Sequence, residues 1–196
     1  MNSVHENPSQ NQSVQRHRLS RGDFHRMRTA GILSEHDRVE LIEGELFDMT
    51  PIGTKHAFTI NTITRLLIER LERRYLVRIQ DPIGLDAYSE PQPDVAIVTE
   101  QDYSTAHPSA EDTLLVIEVA DASLSYDRNV KLKLYAAHGV PEVWLIDVNK
   151  GRVEVYRTPS AEGYRDLHHL LPEESISPAR IPELTVRGAD LVSCNG

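Results

Sequence analysis

The segment Leu114-Leu115-Val116-Ile117-Glu118-Val119 is apolar on both of its alternating faces, apart from one acid. A strand that is oily on both sides belongs in the middle of a sheet covered on both faces. No other stretch limits the possible folds as tightly. The same run also carries chemistry, because a carboxylate in a buried strand costs several kcal/mol unless it is paired or bound to a metal. A second acid-bearing run, Pro93-Asp94-Val95-Ala96-Ile97-Val98, lies upstream. Pro93 cannot donate to a ladder, which places Asp94 at the beginning of that strand.

The other elements follow from period and punctuation. Ser20 caps a helix with Asp23 at the box position, Phe24 and Met27 share its apolar face, and Gly31 closes it. Glu43-Gly44 forms a tight turn with strand-like residues after it. Ile60, Ile63, Leu67 and Leu71 recur at three and four along a helix over 55–75, whose outer face alternates Arg65, Arg70, Arg73 and Arg74 with Glu69 and Glu72. That face reads as a solvated ion-pair surface. Strands are expected over 77–80, 83–85, 94–98 and 114–119, and a helix over 129–137 ended by Gly139 and Pro141. Beyond it lies a hairpin of 142–148 and 152–156 turning at Asn149-Lys150-Gly151. The proline-bearing tail reads as loop and short strand. This order predicts an α/β (α+β) chain with a mixed central β-sheet and helices on both faces.

Composition narrows the function classes. With 196 residues and 39% hydrophobic content, one domain over 17–196 is expected, behind a polar, disordered lead-in over 1–16. The single cysteine, Cys194, excludes a disulfide framework and a cysteine-based zinc site, and fits a reducing cytoplasm. No secretory signal or membrane-spanning apolar run is visible. A net charge of −9 counts against a protein that grips duplex DNA mainly by releasing counterions, but a metal site itself needs clustered acids. With one tryptophan and 6% aromatics, a two-carboxylate glycosidase lacks the residues for a sugar cleft. His168-His169 reads as surface.

Lysine is scarce, with 4 against 17 arginines. Lys131 and Lys133 follow Glu118 closely but point in different directions, and Lys131 shares its helical stripe with Asp127 and Tyr135. Two carboxylates can hold Mg²⁺ with several retained waters, and an ammonium can offset charge on a phosphoryl transition state. Asp94, Glu118 and Lys131 supply those functions for phosphodiester hydrolysis.

Several motifs together resemble the Uma2 family of the PD-(D/E)XK, or restriction endonuclease-like, superfamily. They are Arg38-Val39-Glu40-Leu41-Ile42-Glu43-Gly44-Glu45, Pro91-Gln92-Pro93-Asp94, Ile117-Glu118-Val119-Ala120-Asp121, Tyr126-Asp127-Arg128, Lys131 to Tyr135, and Gly139-Val140-Pro141-Glu142-Val143-Trp144. The resemblance runs from about Leu19 to Tyr156. It implies a restriction endonuclease-like sheet and a Mg²⁺- or Mn²⁺-dependent endonuclease acting on DNA, with Asp94 and Glu118 as metal ligands. Glu40, placed near the end of an N-terminal helix, is implied as a further catalytic acid. The superfamily's simple motif puts lysine two residues after the second acid. Here that residue is Ala120, and Lys131 stands at the position of a lysine moved onto the following helix.

His56, Gln92 and Asp121 are secondary site candidates, and Ser123 lies in the same loop as Asp121. A homodimer is expected by analogy, with Val143-Trp144-Leu145 contributing to its interface. The competing reading keeps the fold as a catalytically inactive nucleic-acid- or protein-binding module, which the acidic charge and the missing Glu-x-Lys favour.

Overall fold

The computed structural model describes residues 15–34, 36–71 and 73–192. The expected lead-in over 1–16, except for its last two residues, and Cys194 lie outside them. In chain order the elements are α1 (Arg21–Thr29), β1 (Val39–Ile42), β2 (Glu45–Asp48), α2 (Thr54–Arg70), β3 (Tyr75–Ile79), β4 (Val95–Thr99) and β5 (Thr113–Ala120). A helical crossover follows, made of α3 (Leu124–Tyr126), a π-helical turn (Asp127–Lys131) and α4 (Leu132–Ala137). The chain ends with β6 (Glu142–Asp147), β7 (Arg152–Ser160), β8 (Gly163–Leu170), β9 (Ser175–Ile176), β10 (Val186–Arg187) and α5 (Gly188–Val192).

Among the described residues, six strands form the central sheet in the order β3-β4-β5-β6-β7-β8. It is mixed: β5 and β6 run parallel, joined by the helical crossover, and every other neighbouring pair is antiparallel. Period-two alternation divides its side chains between two cores. Val95, Ile97, Leu115, Ile117, Trp144 and Ile146 pack with Ile60, Ile63 and Leu67 of α2 and with Leu191 of α5. Ala96, Val98, Val116, Ala120, Val143 and Leu145 pack with Leu132 and Tyr135 on the other face. The expected mixed sheet with helices on both faces is therefore present. Among the described residues, no helix is long and apolar enough to cross a membrane.

Local chemistry accounts for most boundaries. The α1 capping box is formed: the Asp23 backbone N–H donates to Ser20 Oγ (3.1 Å) and the Ser20 N–H to Asp23 Oδ2 (2.9 Å). Glu43 and Gly44 both have positive φ (50° and 86°), as a two-residue turn joining twisted antiparallel strands requires. A side chain at Gly44 would also meet Arg18 Cβ at 2.6 Å. The β1–β2 hairpin docks on the segment before Asp94 through the Glu90 N–H to Leu41 O bond (2.7 Å).

Several expectations need correction. Glu40 lies in strand β1, not near a helix end, because the turn at Glu43-Gly44 pairs Val39–Ile42 with Glu45–Asp48. The α2 helix stops at Arg70, where Leu71 is already extended, and β3 begins at Tyr75. Residues 83–85 contribute only a bridge between Gly84 and Ser109. The crossover helix starts at Leu124, ahead of Asn129. The tail supplies a long sheet strand, β8, and Pro159 is tolerated because β6 pairs with β7 only as far as Arg157. Arg70, the last residue of α2, pairs with Asp190 (3.2 Å), and Arg74, just ahead of β3, pairs with Glu183. Finally, Val143, Trp144 and Leu145 are buried in central strand β6 and cannot form a dimer interface.

The packing separates two neighbouring residues of α2. Leu67 is fully buried in the first core, whereas Ile68 is 61% exposed. Urea denaturation should show Leu67→Ala losing about 2–5 kcal/mol, while Ile68→Ala should stay within about 0.5 kcal/mol of the parent.

Candidate active site

Alternation also aims the acids. Asp94 precedes Ala96 and Val98, and Glu118 sits between Val116 and Ala120, so both carboxylates point to the face covered by the crossover helix. The antiparallel register that pairs Val95 with Ile117 brings Asp94 opposite Glu118. The Asp94 N–H reaches Glu118 Oε2 at 3.4 Å, and the Val119 N–H donates to Asp94 Oδ2 at 2.8 Å.

From above, the crossover helix lowers Lys131 onto this pair. Its Nζ lies 2.8 Å from Glu118 Oε1 and 3.6 Å from Glu40 Oε2, and donates to the Gln92 carbonyl at 3.3 Å. Asp127, Lys131 and Tyr135 occupy one stripe, and all three are buried. The π-helical turn spans Asp127 to Lys131, and such turns recur where a helix presents functional groups. Tyr135 donates to Glu118 Oε1 at 2.6 Å, Tyr126 to Glu40 Oε1 at 3.0 Å, and Ser123 to Asp127 Oδ2 at 2.7 Å. Lys133 is exposed and takes no part.

The secondary candidates divide. His56, on the first turn of α2, places Nε2 2.9 Å from Asp94 Oδ1, with only 14% of its side chain exposed. Gln92 donates its backbone N–H to Glu40 Oε2 at 3.0 Å and its side-chain amide to the Gln80 carbonyl, holding the β1 acid against the segment that leads to Asp94. Asp121 stands apart: its Oδ1 accepts from Asn149 Nδ2 at 2.9 Å. Glu40, His56, Asp94, Glu118, Asp127 and Lys131 line one cavity of about 260 Å³. Reading the sequence left Asp127, Tyr126 and Tyr135 outside the site. The available signal was the four-residue spacing of Asp127 and Tyr135 about Lys131.

Charge balance distinguishes this cavity from the other buried acids. Glu142 is matched by Arg157, the Trp144 indole N–H and the Ala179 N–H. Glu154 holds a two-point contact from Arg128 and the Tyr156 hydroxyl. Asp147 accepts the Asn149 and Lys150 amides. In the cavity, by contrast, Glu40, Asp94, Glu118 and Asp127 share Lys131 and His56.

The titration behaviour reflects this surplus. Burial pushes the Glu118 carboxyl up to about 8 against the pull of Lys131, with Asp94 and Asp127 adding to the rise. Asp127 is raised as well, again chiefly by burial. For Lys131, burial opposes the charge, but Glu118 and Glu40 outweigh it and hold the amine well above its ordinary range. Burial also opposes the charged His56 ring, yet the hydrogen bond and charge of Asp94 win and raise it.

A buried surplus of hard oxygen donors suits a divalent cation such as Mg²⁺ or Mn²⁺. Asp94 and Glu118 would hold it, with Glu40 alongside.

Because Glu118 binds its proton more tightly folded than unfolded, its contribution favours the folded state fully below pH 4.5 and is lost as pH rises through about 8. In metal-free protein, thermal melts of Glu118→Gln and the parent should diverge in the variant's favour between about pH 5 and about pH 9. A constant gap across that range would mean that burial does not hold the proton.

Comparison with known proteins bears on the fold and the family. A crystal structure titled "putative nuclease belonging to DUF820", from Anabaena variabilis, superposes with a TM-score of 0.66 at 18% sequence identity, covering 84% of this chain and 95% of that one. At that identity the likeness speaks for the fold, a mixed sheet with flanking helices. A search of curated proteins finds no match. The model of the Uma2 family, described as "Putative restriction endonuclease", matches residues 21–189. Since that match spans most of the sequence, the chain belongs to the Uma2 family.

Proposed function

We propose that this protein is a divalent-metal-dependent endonuclease that hydrolyses phosphodiester bonds of DNA in the cytoplasm. The observation that carries the reading is one cavity in which Glu40 and Glu118 meet the Lys131 ammonium while Asp94 lies beside Glu118. The family description and the fold shared with the Anabaena variabilis protein described as a "putative nuclease" support the same class of reaction.

In this proposal Asp94 and Glu118 bind Mg²⁺, or Mn²⁺, and Glu40 completes the acidic wall. The bound ion supplies Lewis acidity toward a phosphoryl oxygen and toward water. Lys131 offsets the negative charge that builds on the phosphoryl oxygens as the oxygen of water bonds to phosphorus and the bond to the leaving sugar oxygen breaks, a role that suits an ammonium. His56 orients Asp94 through its 2.9 Å contact, and Gln92 fixes the spacing between Glu40 and the Asp94 strand. Lys131 takes the place of a lysine at Ala120, whose methyl group is packed into the core. Asp121 contributes charge near His56 more than a ligand. A homodimer, if the fold pairs on duplex DNA, forms through surfaces other than β6.

Purified protein with Mg²⁺ or Mn²⁺ should cleave DNA from a panel of single- and double-stranded substrates. Asp94→Asn and Glu118→Gln should abolish the activity with the fold intact by circular dichroism. Lys131→Ala should lower the rate by about 10²–10³-fold, and Lys133→Ala should leave it near the parent value. Full activity in Lys131→Ala would remove the lysine from the site. If the parent protein neither binds metal nor cleaves any substrate, the binding-module reading replaces this one.

A further inference from the structure

A second cluster of ligand-bearing side chains lies outside the carboxylate cavity. His25 on α1, Glu90 at the end of the segment bridged to β1, and His107 in the excursion between β4 and β5 each offer one ligand atom, and these atoms lie within 4.8 Å of one another. Glu90 is only 3% exposed. Its Oε2 accepts from Arg21 Nε at 2.7 Å, and its Oε1 faces His25 Nε2 at 2.8 Å. The His25 and His107 rings meet edge to face, 6.3 Å between centroids at 79°. The Arg21–Glu90–His25 contacts account for Glu90. They do not account for the His107 ring, which makes no hydrogen bond among those described.

The backbone holds these pieces in place independently of any ligand. Glu90 is fixed by its N–H bond to Leu41, and Arg21 by its own N–H to the Ala87 carbonyl (2.8 Å). The Arg21 guanidinium crosses Gly84 so closely that a Cβ there would come within 2.6 Å of it. Gly84 in turn donates to the Pro108 carbonyl at 2.8 Å, next to His107. The glycine that seats the arginine thus also anchors the loop that carries the second histidine.

We propose that His25, Glu90 and His107 form a binding site for a divalent transition-metal ion of the Zn²⁺ or Co²⁺ class, separate from the Asp94–Glu118 site. Two imidazoles and one carboxylate make a three-ligand set that leaves a coordination position open. Imidazole donors favour Zn²⁺ and its neighbours over Mg²⁺, whereas the all-oxygen cavity has the opposite preference. Arg21, on the second oxygen of Glu90, is the outer partner that orients a ligating carboxylate. The open position faces a cleft of about 550 Å³ lined by His25, Arg28, Arg38, Glu90, Gln92 and His107. Arg38 and Gln92 also line the carboxylate cavity, so the ion would sit on the wall of a neighbouring groove. Binding joins α1 to the β4–β5 excursion and stabilises the folded state by mass action.

The experiment titrates chelator-stripped full-length protein with Co²⁺, read by its visible absorption, in excess Mg²⁺ that masks the oxygen-donor site. One equivalent of Co²⁺ should bind with imidazole-type absorption and be displaced by Zn²⁺. Affinity should fall by at least about tenfold in His25→Ala and in His107→Ala and stay unchanged in Asp94→Asn. Zn²⁺ should raise the melting temperature of the parent but not of either histidine variant. Both rings are part-exposed, and matching melts in chelator confirm that the variants are folded. The proposal is overturned by absence of Co²⁺ binding in the parent, by unchanged binding in either histidine variant, or by loss of binding in Asp94→Asn. None of these outcomes depends on nuclease activity.

Discussion

Four buried carboxylates drawn around one ammonium set the terms for the rest of this molecule. Each acid alone would favour unfolding or protonation, and Lys131 cannot neutralise all of them. The fold tolerates the arrangement because every participant is fixed from outside the cavity. The β4–β5 register opposes Asp94 to Glu118, the β1–β2 hairpin delivers Glu40, and the crossover between parallel strands carries Lys131. Tyr126 and Tyr135 add hydroxyl donors, and burial together with the neighbouring acids keeps their phenols protonated and able to donate.

Much of this was legible in the sequence where a periodic signal was strong. The double-sided apolar run at 114–119 gave away a central strand, and Pro93 pointed to a strand beginning at Asp94, one residue ahead of where β4 starts. The four-residue spacing about Lys131 placed that amine on a different side of the helix from Lys133, and Lys131 is buried while Lys133 is exposed. The capping box at Ser20 was likewise readable, because its two hydrogen bonds are local.

What stayed hidden depended on contacts distant in sequence. Glu40 reads as lying near a helix end although Glu43-Gly44 signals a hairpin, because a short strand has too few residues to show its period. The apolar triplet Val143-Trp144-Leu145 suggested an interface when read alone. Only the pairing of β6 between β5 and β7 shows that it is interior. Arg70 and Arg74 stand among Glu69 and Glu72 in the sequence, and nothing local tells that Asp190 and Glu183 reach them from far along the chain. The His25–Glu90–His107 cluster joins residues so far apart that no local pattern could reveal it.

The origin of the ammonium has a mechanical consequence. A lysine at position 120 would share a strand with Glu118, and the backbone would set their spacing. Delivered by a helix, the charge sits wherever that helix rests on the sheet, through Leu124 and Leu132. A sideways slip of about 1 Å can cost on the order of 10²-fold in a reaction that needs the charge in place. The apolar seam beneath the crossover therefore works as an adjusting screw. Changing the bulk of its side chains would retune the site without altering a polar atom within it.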